Sequence, residues 1–488
     1  MLFNSFVFIF LFLPITFIAY YGLNRLKLYQ WAKSVLVIAS LAFYAYFNLS
    51  YLPIMVASIV VNYGIGMALN RGGSLLKLKT MLTIGILFNI GLLGYFKYTD
   101  FLIENINAAF STSYALKNIL LPLGISFFTF QQLAFVIDSY KAAKTTVGNM
   151  SANTPPQSKS IPGFLDYCNF VTFFPQLIAG PIVLPEEMLP QFENERNRHL
   201  NSRNILDGLY IFAMGLVKKV LIADSIAVFA NAGFMLAEKG GLTMAEAWLT
   251  SLSYTFQLYF DFCGYCDMAI GIGLLFNIKL PLNFDVPYRA TNFQDFWRRW
   301  HMTLNRFLTQ YLYIPLGGSK TGKARTYLNI LIVFFISGLW HGAGWTFIIW
   351  GICHGIGVMI CRAWHKGGCR LPDWLGMFIT FFFINILWVI FRADNMTIAW
   401  NVIRSMFDNT SLRLTENLTS NLPSILPNTI NMLILFAAIL LAFIGPSAYS
   451  IMTNEKTSLR TKQALAIMGI TVSIFFVSRV VTFLYFNF

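Results

Sequence analysis

Residues 331–350 read LIVFFISGLWHGAGWTFIIW, an apolar stretch with one imidazole, His341, at its middle. A run of about 20 apolar residues is long enough to cross a bilayer as a helix. The stretch divides into two expected spans, near 327–346 and 347–364, and places His341 towards the end of the first. Gly342 and Gly344 follow it, small residues that let a backbone or a substrate approach closely. An ionisable side chain at membrane depth is costly, so His341 needs a partner or a task.

Similar runs recur near 2–21, 31–47, 51–69, 80–97, 117–137, 204–235, 245–278, 374–392, 430–449 and 464–486. The block from 165 to 183 is also apolar, but Pro175, Gly180 and Pro181 interrupt it. Broken backbone at that depth requires a lining of protein or water. The chain is 57% hydrophobic, 17% aromatic and only 11% charged, which excludes an ordinary soluble domain. The fold expected is an all-α polytopic membrane protein of one domain, residues 1–488, with roughly eleven transmembrane helices plus re-entrant and amphipathic helices. The first run lacks a basic leader and a small-residue cleavage site, so it reads as a retained span.

The net charge of +14 has its source in membrane topology, and nucleic acid is not an expected partner. Lys and Arg concentrate on the cytosolic side of membrane proteins. Arg25, Lys27 and Lys33 follow the first span, Arg71, Lys77 and Lys79 the third, and Lys141, Lys144 and Lys159 the fifth. This alternation predicts an outward N-terminus, and Lys456, Arg460 and Lys462 before the last span predict an outward C-terminus as well. The stretches 147–163 and 408–429 are polar and read as loops.

Cys168, Cys263, Cys266, Cys353, Cys361 and Cys369 form no paired extracellular framework. Cys263 and Cys266 make a lone CxxC without further ligands nearby, so no metal is expected. Lys218, Lys219, Asp224, Gln257, Asp261 and Asp267 lie in long apolar segments and should face the protein interior. Asp261 and Asp267 fall well apart around a helix and do not read as an acid and base pair; capping of bent helices is the expected role.

Between Asn292 and Tyr311, Phe293, Phe296, Trp297, Trp300, Leu304, Phe307, Leu308 and Tyr311 recur at helical spacing. The pattern predicts one amphipathic helix with His301 on the border of its apolar stripe, beside Arg298 and Asn305. A membrane-buried histidine taken alone reads as a strut between helices; His354 in WGICHG fits that role, while His199 and His365 read as solvated. His301 and His341 stand in richer surroundings. A neutral imidazole can take a proton from a hydroxyl in the transition state, and acyl transfer from a thioester to a hydroxyl is a reaction that needs this.

Several segments, in order along the chain, carry a resemblance: LPLGISFFTFQ from 121, FFPQLIAGPI from 173, GLVKKVLIAD from 215, FQLYFDFCGYCDMAIG from 256, NFDVPYRATNFQDFWRRWHMTL from 283, YIPLGG from 313 and GLWHGAGW from 338. They resemble the membrane-bound O-acyltransferases of the bacterial alginate O-acetyltransferase type. The resemblance covers about 1–400, with WVIFRAD from 388 as its last landmark; residues 401–488 match only in being apolar. The loop at 147–163 is longer than the family's, and Cys263 and Cys266 replace small residues.

The resemblance implies a ring of tilted helices around a central tunnel, with His341 as the catalytic histidine and His301 as the second polar residue of the tunnel. In that reading His341 is the general base, and His301, with Asn305, Arg298 or Arg299, orients the donor or stabilises developing negative charge. Trp300, Trp340, Gln131 and Gln176, from the same segments, complete the candidate substrate-binding residues. The implied reaction takes an acetyl group from a cytosolic thioester, acetyl-CoA, with no tightly bound cofactor, and delivers it to a polysaccharide of the cell envelope. An esterase-like partner, secreted or membrane-anchored, is implied beside the lipids of the bacterial inner membrane. A D-alanyl transferase fed by a carrier protein is the neighbouring alternative, and a transporter or a scaffold with structural histidines are the alternatives outside enzymes. Broken segments crowd the middle of the chain and are not repeated in two halves, which argues against a transporter built from inverted repeats.

Overall fold

The structure, a computed structural model, describes residues 1–150, 162–320, 322–368, 371–408, 414, 427–476 and 483–484. Most of both polar loops expected at 147–163 and 408–429, the end of the last expected span, and Cys369 lie outside the described residues. Every regular element among the described residues is helical. Among the described residues, seven helical stretches are long and apolar enough to cross a membrane: Phe8–Arg25, Leu49–Asn70, Leu75–Phe110, Ser202–Glu238, Met244–Leu275, Trp345–Lys366 and Asp373–Arg392. Others in the expected set, such as Tyr29–Ala45 and Asn428–Phe443, are shorter. The chain forms two compact units, one of residues 1–209 and 269–281, the other of residues 210–268 and 282–488.

In the first unit, α1 (Leu13–Arg25) packs with α2 (Tyr29–Ala45), and α3 (Leu52–Asn70) and α4 (Leu75–Phe110) pack with α5 (Ile125–Met150). Polar side chains cross these apolar faces in pairs. Asn62 and Asn89 exchange amide hydrogen bonds of 3.2 and 2.6 Å, while Gln132 donates to Ser58 and accepts from Tyr167. Without water, each such group must find its partner within the protein. The interrupted block forms α6 (Phe164–Thr172) and then irregular backbone; residues 171–185 are all buried, so the lining that broken backbone demands is protein.

In the second unit, the residues of α10 (Met244–Leu275) from 244 to 268 run through a buried centre. A π-helical turn, Lys218–Ala223, links the end of α8 (Ser202–Val217) to α9 (Asp224–Glu238). It presents two adjacent lysines to α10. Lys218 pairs with Asp267 at 2.5 Å, and Lys219 with Asp224 and Asp261 at 2.8 and 2.6 Å. Both neutralise buried ammonium groups, which corrects the expectation of Asp267 as a helix cap, while Asp261 also accepts the Leu484 backbone N–H at 3.0 Å.

The helical hairpin of α13 (Lys323–His341) and α14 (Trp345–Lys366) forms the largest helix pairing of this unit. Gly338 and Gly351 meet at its crossing: a Cβ on Gly351 would lie 2.4 Å from the Phe334 carbonyl oxygen, and one on Gly338 2.4 Å from that of Phe347. Small residues here let two backbones touch. The crossing fixes the end of α13, and His341 is its last residue.

Candidate active site

The amphipathic helix expected from Asn292 to Tyr311 is not continuous. It forms α11 (Phe293–Arg299) and α12 (Met302–Leu308), with a π-helical turn at Thr309–Tyr313. His301 sits at the break in a left-handed conformation, φ 46° and ψ 50°. Left-handed backbone is unfavourable for a residue with a Cβ, so surrounding contacts must hold it there. The residues either side are pinned: Asp285 N donates to Arg299 O at 2.9 Å, and Met302 N to Asn283 O at 3.0 Å. The break turns the imidazole inward, to 0% exposure, where an unbroken helix would leave it on a border.

His341 arrives from the hairpin and is 2% exposed. The two imidazole centroids are 6.2 Å apart. Trp340, Trp350 and Phe391 surround His341 with centroid distances of 4.9, 5.0 and 5.4 Å, and Phe262 stands edge-on to His301 at 4.9 Å. Trp300, fully buried, stacks beyond them against Phe296 and lies tilted against Trp388 with ring centroids 4.9 Å apart. Two histidines 40 positions apart in sequence thus share one aromatic cage.

The remaining candidates divide. Trp300 and Trp340 belong to the cage or its wall. Asn305 gives its amide to the Trp297 carbonyl at 2.9 Å. Arg299 is held by Asp295 at 3.0 Å, with Asp285 at 3.9 Å, which makes it an anchor of α11, and Arg298 is exposed. Gln131 and Gln176 are buried in the first unit, where Gln176 donates to the Phe170 carbonyl at 2.7 Å. His354 is a strut: its Nδ1 accepts from the Trp297 indole at 3.2 Å. His199 and His365 are exposed. The thiols of Cys263 and Cys266 accept from Lys218 Nζ and Asn283 Nδ2, each at 3.3 Å.

Sequence reasoning missed Asn283. Its Oδ1 lies 3.1 Å from His301 Nδ1 and accepts from the Thr303 backbone N–H and hydroxyl at 3.2 and 2.9 Å. Asn283 opens the NFDVPYR segment, but no periodicity marks it as a neighbour of His301.

A polytopic helical protein that buries two imidazoles in one aromatic cage is a membrane protein with ionisable groups gathered where lipid disfavours them. The sequence pattern of the membrane-bound O-acyltransferase family matches residues 106–400, and the chain belongs to that family. It is an acyltransferase. A "Peptidoglycan O-acetyltransferase" of Helicobacter pylori is 45% identical over 516 aligned positions, covering 100% of this chain and 98% of the relative. A "Probable alginate O-acetylase" of Pseudomonas aeruginosa is 38% identical, covering 85% of this chain and 76% of the relative. A "Teichoic acid D-alanyltransferase" of Streptococcus thermophilus is 27% identical, covering 56% and 68%.

Proposed function

We propose that this protein moves an acetyl group from a cytosolic thioester, acetyl-CoA, across the bacterial inner membrane for O-acetylation of a cell-envelope polysaccharide, with the N-terminus outside. The observation that carries the reading is the buried pair of imidazoles, 6.2 Å apart, in a chain of this family. The near end-to-end likeness to a peptidoglycan O-acetyltransferase favours a peptidoglycan hydroxyl over alginate or cellulose as the final acceptor. The lower identity and shorter coverage of the D-alanyltransferase rank D-alanine second.

In the transfer from the thioester a hydroxyl oxygen forms a bond to the acyl carbon and the carbon–sulfur bond breaks. His341 takes the hydroxyl proton and returns it to the departing thiolate, so the imidazole ends neutral. General-base help of this kind is worth on the order of a hundred- to ten-thousandfold. At 2% exposure, His341 meets its reactants only when side chains of the cage move. An esterase-like partner outside the membrane completes delivery to the polysaccharide.

The test uses the full chain in detergent or membrane vesicles, acetyl-labelled acetyl-CoA, and glycan strands with the extracytoplasmic partner. Thiol release and labelled ester are expected, and His341→Ala should lower turnover about a hundredfold or more with an unchanged thermal transition. Full turnover in that variant would remove His341 from the mechanism. Label transfer only from a D-alanyl carrier thioester would move the protein to the second reading.

A further inference from the structure

The hydrogen bonds around Asn283 decide which nitrogen of His301 carries the proton. A backbone N–H can only donate, so the Asn283 atom facing Thr303 N at 3.2 Å is the oxygen, and the amide nitrogen faces Cys266 Sγ at 3.3 Å. That same oxygen lies 3.1 Å from His301 Nδ1. An amide oxygen can only accept, so Nδ1 is the donor. A neutral imidazole has one N–H, which leaves Nε2 with a lone pair.

We propose that Asn283 is a positioning residue that holds His301 as the Nδ1–H tautomer, so that Nε2 serves the acyl transfer as an acceptor of a hydrogen bond or a proton. The assignment rests on the proposed membership of His301 in the reacting site. It also changes the role expected from sequence, because a neutral His301 in this tautomer cannot donate from Nε2 to a developing oxyanion. Two further features support a site built to hold one ring orientation. Asn283 is 0% exposed and also ties its carbonyl to Met302 N, so it grips both the side chain of residue 301 and the backbone after it. The ring is further fixed edge-on by Phe262. An asparagine that orients an imidazole through Nδ1 is a recurrent arrangement in acyl transfer, where the wrong tautomer is costly.

The test compares Asn283→Asp, Asn283→Leu and His301→Gln in the full chain. Asn283→Asp keeps an oxygen acceptor towards both Thr303 and His301, whereas Asn283→Leu removes it. The leucine variant should lose at least about tenfold in kcat with little change in KM, and the aspartate variant should recover most of that loss. Imidazole nitrogen shifts of 15N-histidine-labelled protein, with the His301 signal assigned by its absence in His301→Gln, should show protonated Nδ1 in the wild type. The opposite tautomer, or full kcat in Asn283→Leu while His301→Gln is inactive, would overturn the positioning role and leave His301 in the site. Full kcat in His301→Gln would instead overturn the site assignment on which the proposal rests. The labelled wild type decides the tautomer even where Asn283→Leu fails to fold.

Discussion

The Lys219 ammonium lies 2.6 Å from an Asp261 carboxylate oxygen, with both side chains almost wholly buried, and Asp224 closes on the same nitrogen at 2.8 Å. Replacing lysine by methionine keeps the bulk but leaves two carboxylates facing one another in the interior. Breaking a buried pair from one side costs about 3–5 kcal/mol because the remaining charge is uncompensated. Lys219→Met is expected to lower the thermal transition in detergent sharply, or to prevent assembly. Asp138→Asn, which breaks the exposed Lys141 pair, should cost less than about 1 kcal/mol. Similar transitions for the two variants would show that the interior charges are better solvated than this packing implies.

The crossing of α13 and α14 makes a second contrast. Alanine at Gly351 would place a carbon 2.4 Å from the Phe334 carbonyl oxygen, backbone that cannot swing away, so the helices must part. Because α13 ends at His341, the displacement reaches the cage. A shift of about 1 Å in a reacting group can cost a hundredfold, so Gly351→Ala should lose at least tenfold in turnover. Gly94, on α4, has nothing within 4 Å of its missing Cβ, and Gly94→Ala should be neutral or stabilising by up to about 1 kcal/mol. Acetyl release and melting of both variants check the pair; equal activity would show that the hairpin does not set the position of His341.

The strut role of His354 separates packing from chemistry. Trp297→Phe removes the indole N–H that His354 Nδ1 accepts at 3.2 Å together with part of a buried ring. The lost hydrogen bond and the cavity left behind should together cost about 2–3 kcal/mol of stability, with turnover changed by no more than about threefold. A large fall in turnover with unchanged melting would place His354 among the reacting groups.

Much of this was legible in the chain. Apolar runs near 347–364 and 374–392 became helices at nearly those positions, because length and hydropathy alone decide them. His341 at a helix end beside small residues, His354 as a strut, and lysines turned inward were also readable from the cost of polar groups in lipid. The break at His301 was hidden because the apolar stripe continues on both sides of it, and Phe296, Trp300 and Leu304 are buried whether or not the helix is broken. What breaks it is backbone pairing between 283–285 and 299–302, a contact that helical periodicity does not encode. For the same reason Asp267 and Asp261, the partners of Lys218 and Lys219 that lie more than forty residues away on α10, could be expected to exist but not be named.

Strain near that pairing gives the last contrast. Val286 adopts φ 41° and ψ 61°, a left-handed conformation in which a β-branched residue is a true outlier. It follows Asp285, whose N–H is bonded to Arg299 O, and precedes Pro287. Left-handed backbone costs about 1–2 kcal/mol for a residue with a Cβ, whereas glycine adopts it freely. Part of that relief is offset by the greater freedom of glycine in the unfolded chain. Val286→Gly is therefore expected to raise the thermal transition slightly, by the equivalent of up to about 1 kcal/mol. If the valine serves only to shape the turn that carries Asn283 towards His301, turnover should stay near the wild-type value. A stabilised variant with a markedly lower kcat would show instead that strain at 286 holds the Asn283–His301 geometry, and a destabilised one would show that the valine side chain's packing outweighs its backbone.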